Sequence, residues 1–95
     1  MDHILNNLGL CNRAGGLIAG EEAVVDGIRN GKVYYVFLAN DASKNATKMI
    51  LDKSKFYNVE VCLDYTSYEI SQAVGKSGRM VIGITNNNFV KILKK

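Results

Sequence analysis

The chain has 95 residues, 47% of them hydrophobic and 22% charged, which fits one globular domain with a core and excludes a disordered tail or two domains. A net charge of +3 suits a nucleic-acid partner but is too small to establish one. No proline, no low-complexity run, no repeat, no membrane-length apolar stretch and no signal-peptide pattern interrupt it, so a single cytoplasmic domain with no membrane partner is expected.

Residues 2–12 carry Ile4, Leu5, Leu8 and Cys11 at the spacing of an amphipathic helix, which Gly15-Gly16 would end. Leu17-Ile18-Ala19 reads as a brief strand. A second helix is predicted over residues 21–30, with Ala23, Val24, Gly27 and Ile28 inward and Asn30-Gly31 as its stop. The run VYYVFLA, residues 33–39, suits a central strand covered on both faces.

After a capping turn at residues 40–43, a third helix extends to about Tyr57, with Ala46, Met49, Ile50 and Phe56 inward. Residues 59–63 form a strand, and residues 67–74 a short helix capped by Thr66 or Ser67. A turn at residues 75–78 leads into MVIGIT, residues 80–85, another buried strand. Asn86 to Asn88 start a last helix whose apolar residues are Phe89, Val90, Ile92 and Leu93.

Helices and strands alternate almost strictly. That rhythm predicts an α/β fold: a three-layer α/β/α sandwich around a small four-stranded sheet, mixed or largely parallel. Ligands gather at one end of such sheets, so the loops at residues 13–22, 40–44 and 75–80 are expected to share an end.

Catalytic groups are scarce. The sole histidine, His3, reads as a solvated first-turn residue, and Glu21 and Glu22 diverge by roughly 100° on a helix, too far apart for a proton-sharing pair. Cys11 and Cys62 have no metal spacing and read as buried free thiols. Gly75-Lys76-Ser77 spells GKS but lacks the upstream glycine of a phosphate loop, and it precedes a strand. No enzyme, metal or cofactor is expected.

The stretches GLCNRAGGLIAGEEAVVDGIRNGK, YYVFLANDASKNATK, YNVEV and AVGKSGRMVIGIT resemble the kink-turn RNA-binding ribosomal-protein superfamily, and within it the small bacterial YlxQ-type ribosomal proteins. The resemblance runs the whole length of the chain. It implies a non-enzymatic RNA-binding protein of ribosomal or ribosome-associated kind, a monomer. Its partners would be structured RNA (kink-turn-like or ribosomal) and ribosomal or ribonucleoprotein components.

It further implies that RNA is gripped where the first strand meets the second helix. The usual signature there is Gly-x-Asn-Glu-x-x-Lys. Gly20 matches its glycine, whereas Glu22, Ala23 and Asp26 replace the asparagine, the glutamate and the lysine. The loop before the last strand, with Lys76, Ser77, Arg79, Met80 and Val81, would pack on extruded bases. The turn from Asp41 to Lys44 would be a third contact. The candidate RNA site comprises Arg13, Gly20, Glu21, Glu22, Asp26, Lys44, Lys76, Ser77, Arg79, Met80 and Val81. The acidic set Glu21, Glu22 and Asp26 also fits a second reading, a protein-interaction module that has lost kink-turn recognition.

Overall fold

Asp2 starts the first helix by accepting the Ile4 N–H on its carboxylate at 2.6 Å. In the computed structural model, which describes residues 2–94, α1 (His3–Arg13) then buries Ile4, Leu5, Leu8 and Cys11 along one stripe. There follow β1 (Leu17–Ala19), α2 (Glu21–Arg29), β2 (Tyr35–Leu38), α3 (Lys44–Phe56), β3 (Glu60–Cys62), α4 (Ser67–Val74), β4 (Val81–Ile84) and α5 (Asn87–Leu93). Thr66 caps α4 through a reciprocal capping box with Glu69, and Ser43 caps α3 by accepting from Ala46. Lys95, the last of the terminal lysines, lies outside the described residues.

The strands form one sheet in the order β1-β4-β2-β3. It is mixed rather than largely parallel: β2 and β3 run parallel, and β4 is antiparallel to both β1 and β2. The reason lies after α4. That helix runs away from the end of the sheet where β2 stops, and residues 75–80 carry the chain back along it. The Arg79 N–H donates to Ser71 Oγ at 2.9 Å, in the middle of α4. β4 therefore begins beside the end of β2, with Val81 opposite Leu38.

Period-two alternation sorts the side chains into two cores. Tyr35, Phe37, Ile82 and Ile84 pack with residues of α1, α4 and α5 on one face. Val36, Leu38 and Val81 pack with Val24, Val25, Ile28 and Ile50 of α2 and α3 on the other. This is the expected three-layer sandwich.

Two inward assignments change. Ala23 is exposed, and Val25 takes its place in the buried stripe of α2. Phe56 is 80% exposed, because the buried stripe of α3 is Ala46, Ile50 and Ser54. A residue two positions past Ser54 points roughly 200° away from it. In α5, Ile92 is exposed and Leu93 supplies the buried contact. Cys11 is fully buried, whereas Cys62 is half-buried.

Gly9 sits in mid-helix, where glycine costs about 0.5–1 kcal/mol relative to alanine. Its reason is the close approach of α1 to α4: a Cβ added there would lie 2.8 Å from the carbonyl oxygen of Ala73. Overpacking against backbone costs about 1–3 kcal/mol. Gly9→Ala is thus expected to be destabilising by a net of about 1 kcal/mol once the propensity gain is subtracted, measured by urea unfolding. A stabilised variant would show that α1 can shift freely on α4.

Candidate nucleic-acid interface

The start of α2 is shaped by its neighbour β4. The Gly20 N–H donates to the Val81 carbonyl at 3.0 Å, which pins the junction to the sheet. Gly20 has φ 104° and ψ 145°, a conformation that L side chains rarely adopt, and no side chain caps α2. The first-turn N–H groups of the helix thus have no side-chain acceptor. Glu21 and Glu22 stand beside them, exposed, and offset the positive end of the helix dipole.

The starts of α3 and α4 meet the same end of the sheet. The Ala39 N–H donates to the Met80 carbonyl at 2.8 Å, and the Asn40 N–H to the Tyr65 carbonyl at 2.9 Å. Asp41 joins the two helix starts: its carboxylate accepts the Ser67 N–H and the Ser67 hydroxyl, each at 2.8 Å. Lys44 opens α3, whose first turn holds no acid. A cation there opposes the helix dipole, so capping does not account for it.

The Ser67 bonds hold the Asp41 carboxyl below the usual aspartate value of 3.8. A lowered pKa means the clasp contributes its full stability above the unfolded-state value and loses it as pH falls through the folded one. Asp41→Asn is therefore expected to flatten the acid limb of thermal stability below about pH 4, read by melting between neutral and strongly acid pH. Parallel acid limbs for variant and parent would show that the clasp does not form.

Between α4 and the returning loop lies a groove of about 580 Å³, bordered by Tyr68, Ser71, Lys76, Ser77 and Met80. Met80 is 44% exposed and Tyr68 71% exposed, so both offer apolar surface to it. Tyr68 was not among the sequence candidates. An aromatic on the outward side of a short capped helix was the available signal.

Of the expected site residues, Gly20, Glu21, Glu22, Lys44, Met80 and Arg79 occupy this end or the groove leading to it. Lys76 and Ser77 lie on the groove's further rim. Glu22, Ala23 and Asp26 share one exposed stripe of α2, spaced i, i+1 and i+4, with Asp26 3.6 Å from Arg29.

Two candidates stand elsewhere. Arg13 ends α1 at the opposite end of the sheet, where the Gly16 carbonyl accepts the Thr85 and Asn86 N–H groups. The three residues of β1 separate it from Gly20. Val81 is 3% exposed, packed in the α2/α3 core, and leaves stacking to Met80.

Burial pushes the Cys11 thiol up to about 11 and the Tyr35 phenol up to about 12, so both are neutral at physiological pH. Among the described residues no three His, Cys, Asp or Glu side chains converge as metal ligands. No helix there is long and apolar enough to cross a membrane.

The model of the ribosomal protein L7Ae/L30e/S12e/Gadd45 family matches residues 2–94. The chain is 46% identical over 91 residues to the RNA-binding protein YlxQ of Enterococcus faecium, covering 96% of this chain and 87% of that one. It is 35% identical over 86 residues to the RNA-binding protein YlxQ of Bacillus subtilis, covering 90% and 86%. A solved protein of unknown function from Bacillus halodurans shares the structure with a TM-score of 0.91 at 38% identity, over 95% of this chain and 91% of that one. The Giardia lamblia 15.5kD RNA binding protein gives a TM-score of 0.84 at 15% identity, over 96% and 78%, a likeness of fold alone. With its fold and nearly every residue matched, the chain belongs to the ribosomal protein L7Ae/L30e/S12e/Gadd45 family.

Proposed function

We propose that the chain is a non-enzymatic RNA-binding protein of the ribosomal type, acting in the cytoplasm as a monomer on structured RNA, either kink-turned or ribosomal. The observation that carries this reading is the uncapped start of α2, held by Gly20 against β4. Backbone N–H groups at a helix start bind phosphate or base oxygens without needing a particular side chain. Lys44 and Arg79 supply the cations that Glu21 and Glu22 do not. Met80 and Tyr68 offer apolar and aromatic surface to bases that leave the stack. Both YlxQ relatives carry RNA binding in their names, which supports the same role here. Ribosomal or other ribonucleoprotein components are the protein partners that such a role implies.

The test is a filter-binding titration with a kink-turn RNA and a straight duplex of equal length, at two salt concentrations. Tighter binding to the kinked RNA and a steep loss with salt are expected. Equal affinity for both RNAs, or no salt dependence, would refute specific recognition. A partner pulled down equally well after nuclease treatment would point to the protein-interaction module instead.

A further inference from the structure

Two stretches of the chain carry cations and aromatics with no acid among them: RNGKVY, residues 29–34, and KSKFYNV, residues 53–59. The fold brings them together, because α2 and α3 both end at the pole opposite Gly20. An open cavity of about 330 Å³ lies between them, with Arg29, Tyr34, Tyr57 and Asn58 on its walls. Phe56 stands beside it, its ring centroid 4.9 Å from that of Tyr57 and the two planes 75° apart.

All three rings face solvent: Phe56 is 80% exposed, Tyr34 47% and Tyr57 39%. Compensation of helix dipoles accounts for Arg29, Lys53 and Lys55, each in the last turn of its helix. It accounts neither for Lys32, which lies beyond α2, nor for three exposed aromatic rings at one place. The neighbouring acids are already engaged: Asp26 lies against Arg29, and Glu60 is paired with Lys94. Asp52, one turn back along α3, lines a neighbouring cavity with Lys48, Lys53 and Phe56, where the two lysines outnumber it.

We propose that this pole is a second nucleic-acid contact, which takes a short single-stranded RNA segment. Its bases stack on Tyr34, Phe56 and Tyr57, while Arg29, Lys32, Lys53 and Lys55 hold the phosphates. A polyanion is favoured over a protein partner because the rings are interleaved with cations and the two segments contain no acid. Phe56 and Tyr57 are steeply inclined, so each presents its own face and the two stack on different bases. The contact is distinct from the Gly20 end and does not depend on kink recognition there.

The chain contains no tryptophan, so Phe56→Trp creates a reporter confined to this pole. Titration with an oligouridylate of about ten nucleotides is expected to quench the indole fluorescence in a saturable, salt-sensitive way. In the parent chain, fluorescence anisotropy of the labelled oligouridylate reads affinity directly. Tyr34→Ala and Phe56→Ala are each expected to weaken it roughly fivefold or more. The double variant Lys32→Glu and Lys55→Glu is expected to weaken it about tenfold at low salt.

Unchanged indole fluorescence at low salt, or anisotropy indifferent to all four substitutions, overturns the proposal. So does a fluorescence change that follows protein concentration alone, which would mean that a second copy of the chain covers the rings. The Gly20 site is read separately, on a kinked RNA without single-stranded ends, so failure at one site is distinguishable from failure at the other.

Discussion

The triple variant Glu22→Asn, Ala23→Glu and Asp26→Lys is expected to bind a kink-turn RNA more tightly than the parent chain, by about 1–3 kcal/mol, or roughly 5- to 150-fold. All three positions lie on the exposed stripe of α2, so the changes leave the core untouched. An asparagine both donates and accepts hydrogen bonds, whereas the ionised Glu22 only accepts. Ala23 offers no polar atom. Asp26→Lys replaces repulsion of a phosphate with attraction, and the added ion pair should steepen the plot of log affinity against log salt by about 0.7–0.9. It also removes the Asp26–Arg29 pair, but that pair is exposed on both sides and contributes little. Filter binding over a salt series checks both numbers. No gain in affinity would mean that kinked RNA does not approach this face of α2.

Gly20→Ala is expected to lower both stability and RNA affinity. At φ 104° an L side chain is strained whatever the space around it, and the space here is open, with no atom within 4 Å of an added Cβ. The cost is therefore conformational, about 1–3 kcal/mol, which for a domain of this size lowers Tm by about 4–8 °C per kcal/mol. Relief of the strain requires the first turn of α2 to rotate away from β4, breaking the Gly20–Val81 hydrogen bond and re-aiming the free N–H groups. A hydrogen bond from one of these groups to a charged phosphate is worth about 1.5–3 kcal/mol, so affinity should fall by roughly tenfold or more. Calorimetry and RNA titration measure the two effects. Placing D-alanine at position 20 by chemical synthesis is the control, because a D residue takes positive φ without the strain that an L residue meets there. A D-alanine form as unstable as Gly20→Ala would refute conformational strain as the cause.

Most of the fold was legible because its elements are local events. Asp2, Ser43 and Thr66 each cap the helix that follows, through bonds spanning two or three residues. The apolar run is buried on both faces from Tyr35 to Ala39, as its composition requires, whereas Tyr34 near its start lies before the strand and is exposed. Errors fell where a helix is buried on one side and the pattern offers two neighbouring stripes. Ala23 and Val25 exchanged roles, and Phe56 took the outward position because α3 turns Ala46, Ile50 and Ser54 to the sheet. The pattern left open whether the sheet is mixed or largely parallel, since strand direction depends on a loop folding back along α4 and not on any residue pattern.

The candidate site divides in the same way. Gly20, the two glutamates beside it and the cations Lys44 and Arg79 are readable in the chain, because a glycine between a strand and a helix marks a special backbone position. The Asp41–Ser67 clasp, the groove beneath Tyr68 and the gathering of Tyr34 with Phe56 and Tyr57 are not. Each joins residues of different elements and loops, and no local spacing encodes such a meeting. Arg13 shows the converse: near Gly20 in sequence, it is carried by β1 to the other end of the sheet. By itself, then, the sequence determined where helices start, which faces are apolar and which family the chain resembles, since short-range hydrogen bonding and periodic burial are written residue by residue. Only the tertiary structure decided which loops meet, because that depends on strand direction and on the course of the chain between strands.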